Sequence, residues 1–179
     1  MITPKAPCKF ACLERPDTYK DKVIGYKISL VFDANDPFLE KLESDVRDLY
    51  DEYEGTLTGK ALKSAQAMTY KEPVEDDYRR DENKELVETG KKLVRFKSVK
   101  FQPKMYDVTG HEINVEDIPY GTVVRVSYKI GAPYAALGFR GCPLYLQKIQ
   151  VISLPDTGDE FEDESGGEWD ERGGSDDAF

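Results

Sequence analysis

Basic and aromatic side chains alternate through the second half of this 179-residue chain. Arg95, Phe96, Lys97, Lys100 and Phe101 follow one another closely, and Tyr106, Tyr120, Arg125, Tyr128, Lys129, Tyr134, Phe139 and Arg140 come after them. A cation neutralises a phosphate and releases its counterions, while an exposed ring stacks on a base at about 1–3 kcal/mol whatever the base is. Interleaved on strands, the two types suit single-stranded nucleic acid. Strand periodicity leaves a second reading open for some rings. Phe96 shares a strand face with Val94, and Tyr128 with Val124 and Val126, so both also fit a core. Arg125 and Lys129 fall on the face opposite Tyr128, available to solvent or phosphate.

Other chemistries are poorly supplied. Residues 55–61 superficially look like a phosphate-binding loop, but Gly55 and Gly59 stand one residue too close, and Ala61 occupies the place of a Mg²⁺-binding hydroxyl. The run also follows a helical pattern instead of a strand. The only histidine, His111, is followed by Glu112 but has no partner histidine four residues beyond itself, so it reads as a solvated turn residue. Asp76-Asp77 and Glu116-Asp117 fall in segments read as loops, where mobile carboxylates make poor Mg²⁺ sites, and they are read as solvated charge. Cys8, Cys12 and Cys142 lack metal-ligand spacing and are too few for a disulfide framework, which suits buried thiols in a reducing compartment. No cofactor, metal or enzymatic activity is expected.

A formal charge of −10 would ordinarily argue against a nucleic-acid binder. Its distribution reverses that argument. Residues 155–179 hold eleven acidic side chains against Arg172 alone, which leaves residues 1–154 neutral. Within that neutral part, residues 90–154 carry ten basic and four acidic groups, a basic module hidden by the global balance. No apolar run approaches the ~20 residues of a spanning helix, and Met1 to Lys5 lacks the apolar core of a signal peptide. No membrane association is expected, and the cytoplasm is the expected setting.

The elements that must carry these residues follow from periodicity. Lys5 to Leu13 alternates loosely, with Cys8, Phe10 and Cys12 on one side, and Val23 to Phe32 alternates clearly around Tyr26, Ile28, Leu30 and Phe32. Asn35 or Asp36 caps a helix that starts at Pro37 and ends at Gly55, and a short second helix fits Gly59 to Ala67. Residues 69–89, dense in charge, read as a long surface loop. From Lys91 the period is two: strands are expected at Leu93 to Val99, Lys104 to Val108, His111 to Val115, Thr122 to Ile130 and Leu144 to Leu154. Gly131 to Gly141 reads as a flexible hairpin loop able to close over a bound strand. The expected fold is mainly β, a small barrel over residues 1–154 with a helical insertion at about 35–89.

After Pro155 Gly, Ser, Asp and Glu dominate, and residues 155–179 are expected to be a disordered acidic tail. Asp176, Asp177 and Phe179 place an aromatic ring among acids, which suits capture in a basic, apolar pocket of a partner, with Trp169 a further anchor. A flexible chain of this length spans on the order of 25–30 Å, enough to reach its own basic groove as a phosphate mimic.

Strands and tail together resemble the phage-encoded single-stranded DNA-binding proteins, with their OB-type Greek-key barrel and acidic C-terminal tail ending in an aromatic residue. Three stretches carry the likeness: Lys97 through Pro103 with Tyr106, Asp107, Gly110 and Ile113; Tyr120 to Val126; and Leu146 to Val151. Gln102 departs from the basic residue expected before Pro103. The resemblance implies sequence-independent binding of single-stranded DNA in phage replication, recombination or repair, in the host cytoplasm. It also implies that the tail docks replication proteins such as a polymerase or helicase, and it leaves room for a homodimer or for association along the strand. A different class stays open: an acidic interaction module or DNA mimic, in which the barrel is only a scaffold without DNA affinity.

Overall fold

The computed structural model describes residues 1–20 and 22–155, so the expected disordered tail, with Trp169, Asp176, Asp177 and Phe179, lies outside the described residues from residue 156 on. In chain order the elements are β1 (Ala6–Tyr19), β2 (Lys22–Asp33), α1 (Pro37–Thr56), α2 (Gly59–Gln66), β3 (Thr69–Tyr70), β4 (Val74–Arg80), β5 (Leu86–Ser98), β6 (Lys104–Tyr106), β7 (Glu112–Ile113), β8 (Val123–Ile130), β9 (Tyr134–Ala136), β10 (Phe139–Gly141) and β11 (Leu144–Ser153). No helix among the described residues is long and apolar enough to cross a membrane.

Five strands close into a ring, β1–β2–β5–β11–β8 and back to β1. All contacts in it are antiparallel except β5 with β11, which meet in parallel at Lys97 and Tyr145. This is the strand order of an OB-like Greek-key barrel, the fold that the resemblance implied, where the period-two segments led to a small barrel. The two helices enter between β2 and β5, the second and third strands of the ring. Gly25, at φ +111°, lets β2 cross β5 closely, since a Cβ there would come within 2.4 Å of the Ser98 carbonyl oxygen.

Alternation sends Ile28, Leu30, Phe32, Val94, Phe96, Val124, Val126, Tyr128, Leu144 and Leu146 into the barrel, and Ile149 joins them past a register shift in β11. α1 closes one end of it. Asp36 caps that helix by accepting from the Phe38 N–H at 2.9 Å, with Pro37 in the first turn, and Leu39, Leu42, Val46 and Tyr50 form its buried stripe. Phe38 then meets Phe32 at 5.0 Å and the edge of Tyr128 at 6.4 Å between ring centroids.

Three local expectations need correction. Residues 69–89 are not a loop: β4 pairs with an extended β5 as a hairpin, turned at residues 81–85 where the Asp81 carboxylate accepts from the Asn83 and Glu85 N–H groups. β4 lies at the end of the sheet, and an edge strand lined with charge carries no apolar alternation to read. In β1 a bulge at Phe10, with φ +55°, breaks the expected Cys8–Phe10–Cys12 face. Phe10 turns out to solvent and Lys9 is buried. Lys9 Nζ lies 2.6 Å from the Asp77 carboxylate and donates to the Tyr78 carbonyl, while the Thr89 hydroxyl donates to the other carboxylate oxygen. Asp77 is therefore a buried structural anion and not solvated charge, and Asp76 pairs with Lys92.

Candidate nucleic-acid interface

Strand register places four outward positions in one line. Lys27 on β2 faces Lys97 on β5, Lys97 faces Tyr145 on β11, and Tyr145 faces Lys129 on β8. Adjacent strands lie about 4.8 Å apart, so the line runs about 14 Å across the barrel wall. Their neighbours along each strand, Ile28, Phe96, Leu144, Leu146 and Tyr128, fill the core, and the period of two forces these four outward. Gly131 leaves room for the tyrosine: a Cβ there would come within 2.3 Å of the Tyr145 ring.

Two clefts flank this line. The first, about 140 Å³, is lined by Lys71, Glu75, Arg95, Lys97, Tyr134 and Leu144 among others. Half-burial pulls the Lys97 ammonium below the usual lysine range, and the positive charges of Arg95, Lys71 and Lys27 lower it further. Glu75 holds Arg95 at 3.4 Å and Asp17 holds Lys27. Burial raises the Tyr134 phenol, keeping it neutral. The second cleft, about 510 Å³, is lined by Lys100, Phe101, Lys129, Tyr145 and Gln147 among others. Phe101 is 76% exposed there and Tyr145 44%. Gln102 does not need to be basic in this loop, because its amide ties the loop to β1 by donating to the Leu13 and Glu14 carbonyls at 3.0 and 3.1 Å.

Ion pairs among the described residues take up Lys27, Arg95, Lys104 and Arg140, but none of Lys71, Lys97, Lys100, Arg125, Lys129 or Lys148. Unpaired cations beside exposed rings are what a phosphate backbone and its bases require. Among the described residues no three His, Cys, Asp or Glu side chains gather as a metal ion would need.

The candidates named from sequence separate accordingly. Arg95, Lys97 and Tyr134 meet in the first cleft, Lys100, Phe101 and Lys129 in the second, and Tyr106 and Arg125 in a third further along β11. Tyr120 is exposed in the turn before β8 and lines none of the three. Phe96 is wholly buried against Tyr128, ring centroids 5.1 Å apart, and cannot stack on a base. Arg140 is also corrected. Its guanidinium binds Glu54 of α1 at 2.8 Å and lies over the rings of Tyr50 and Tyr70, so its charge is already matched.

That contact also corrects the flexible flap expected at 131–141. β9 and β10 form a hairpin whose β10 runs parallel to β3, and Arg140 with Arg47, stacked 3.7 Å over Tyr70, clamps it to α1. Both turn residues, Leu137 and Gly138, have positive φ, as a two-residue hairpin requires, and Leu137 is 96% exposed at the tip. Phe139 is half-exposed beside it with Lys71 Nζ 5.5 Å above its ring. Lys27, Lys71, Tyr145 and Lys148 were absent from the sequence-derived set. Lys27 and Tyr145 stand at outward positions of readable strands, but only the β5–β11 register shows that they join one line.

An OB-like barrel with a cationic, aromatic-lined outer wall is the class that fold and site define. No family model matches the sequence, and no curated protein matches it. Solved structures do. The chain is similar to gp2.5, a single-stranded DNA-binding protein encoded by bacteriophage T7, with 17% identity, 90% of this chain and 96% of that chain covered, and a TM-score of 0.61. It is equally similar to the single-stranded DNA-binding protein from bacteriophage Enc34 in complex with ssDNA, with 16% identity, 87% and 86% covered, and a TM-score of 0.61. At these identities the likeness establishes the fold, and it agrees with the resemblance carried by the strands.

Proposed function

We propose that this chain binds single-stranded DNA without regard to sequence, in phage replication, recombination or repair. The strand lies across the line Lys27, Lys97, Tyr145 and Lys129, with Arg95, Lys71 and Tyr134 on one side and Lys100 and Phe101 on the other. The observation that carries this is the continuity of that line over four strands, its lysines at 97 and 129 having no ion-pair partner among the described residues. It occupies the β2–β5 wall beside the loop between β8 and β11, the surface through which OB folds engage oligonucleotides. A neighbour of the same fold has been solved with single-stranded DNA. An interaction module or DNA mimic has no use for such a surface. The acidic segment 155–179 competes for the groove and docks replication proteins.

A salt titration of binding to oligo-dT and to duplex, with the full chain and with residues 1–154, tests the proposal. Preference for the single strand, affinity falling steeply with salt, and tighter binding by residues 1–154 are expected. No binding at low salt after removal of the acidic segment would refute the function, and equal affinities for the two chains would refute the competition alone.

A further inference from the structure

Resting on that reading, we infer that the groove continues past Lys129: Tyr106, Arg125 and Lys148 form a further subsite for the same single strand, and one track follows β11 from Pro143 to Gln150. The three clefts take successive stretches of this strand. Pro143 and Leu144 line the first, Tyr145, Leu146 and Gln147 the second, and Lys148, Ile149 and Gln150 the third, which measures about 240 Å³. At 3.3 Å per residue the track is about 23 Å long.

A bulge makes the third stretch usable. Tyr145 faces Lys129 and Lys148 faces Ser127, so the register shifts between Leu146 and Lys148. Tyr145 and Lys148 are an odd number of residues apart, and in an unbroken strand they would point to opposite faces. The extra residue turns Lys148 outward, onto the face that carries Arg125, Ser127 and Lys129 on β8, and leaves Ile149 for the core. Where β5 ends at Ser98, β6 takes its place beside β11 and brings Tyr106 opposite Gln150.

The chemistry of this cleft repeats that of the other two. Lys148 Nζ stands 5.7 Å over the Tyr106 ring, and the Tyr106 hydroxyl donates to Glu112 at 3.4 Å, which orients the ring. Glu112 is itself paired with Lys104 at 2.9 Å; the charge of Lys148 also acts on it, but neither Lys148 nor Arg125 forms an ion pair with it. Two cations without an ion-pair partner among the described residues and one ring remain, held on strands.

Length separates this subsite from the rest of the groove. Binding of oligo-dT of about 4 and about 12 nucleotides, spanning the site sizes seen for one OB fold, is to be compared for the full chain and for R125Q/K148Q. The expected result is a salt slope lower by about 1.4 and an affinity reduced roughly 25-fold at ~0.1 M salt on the longer oligonucleotide, with the shorter one unaffected. Tyr106→Leu should weaken the longer complex about 10-fold with the slope unchanged. Equal losses at both lengths, or none at the longer, would overturn the inference. If the unaltered chain binds neither oligonucleotide, the groove reading beneath it fails instead.

Discussion

Basic and aromatic side chains gather in two places on this barrel, and they do opposite things. Along the outer wall, Lys97 and Lys129 flank Tyr145 without an ion-pair partner among the described residues, and half-burial with Arg95, Lys71 and Lys27 nearby makes Lys97 reluctant to hold its proton. Between α1 and β10, Arg47 and Arg140 lie on Tyr50 and Tyr70, with Glu54 and Glu72 matching their charge. Burial pushes the Tyr70 phenol up to about 12. Composition does not distinguish the two. A matched guanidinium on a ring is a clamp that fixes the hairpin beside the first cleft; unmatched ammonium groups leave their charge open to an anion.

Removing one guanidinium should break the comparison most severely on the clamp side. In Arg140→Met, Glu54 loses its partner in a site where both side chains are only about a fifth exposed, 21% and 23%. A loss of about 2–3 kcal/mol of stability is expected in denaturant unfolding. The salt slope of oligonucleotide binding should not change, because the Arg140 charge is already matched. A slope lower by about 0.7 would mean that Arg140 meets phosphate and that the clamp is part of the groove.

The reverse pattern is expected on the wall. K97Q/K129Q should lower the salt slope by about 1.4 and the affinity roughly 25-fold at ~0.1 M salt. Its thermal midpoint should stay level or rise, since Lys97 no longer sits charged among Arg95, Lys71 and Lys27. A stability loss matching that of Arg140→Met would show the wall lysines to be structural and erase the difference between the two regions.

Much of the fold was legible because barrel strands of period two and a capped amphipathic helix are local patterns. β4 was not, because an edge strand such as Val74–Arg80 buries too little to alternate, and neither was the bulge that exposes Phe10 and buries Lys9. The candidate site was half legible. Lys97, Lys129 and Phe101 followed from residue type and face, whereas Tyr145 depends on a parallel contact between strands some fifty residues apart. Arg140 was misread because the partner that neutralises it, Glu54, lies on a helix 86 residues earlier in the chain. A local pattern reports which face a side chain takes and says nothing of what stands opposite it.

The smallest effect separates the regions by protonation. Lys97 is held below the ordinary lysine value of 10.5 by burial and by neighbouring cations, while a bound phosphate favours its charged form. Binding therefore takes up a proton wherever the free Lys97 is neutral, and affinity falls as pH rises through the lowered pKa, before the exposed lysines titrate. Folding stability moves the other way over the same window, because a group with a lowered pKa costs the folded state least when neutral. Lys97→Arg keeps its charge throughout. With oligo-dA at fixed ionic strength, as pH rises toward the ordinary lysine value of 10.5, the unaltered chain should lose up to about 5-fold in affinity before Lys97→Arg loses any. Parallel curves for the two proteins would place Lys97 outside the path of the strand and leave Lys129 and Lys71 as the phosphate contacts.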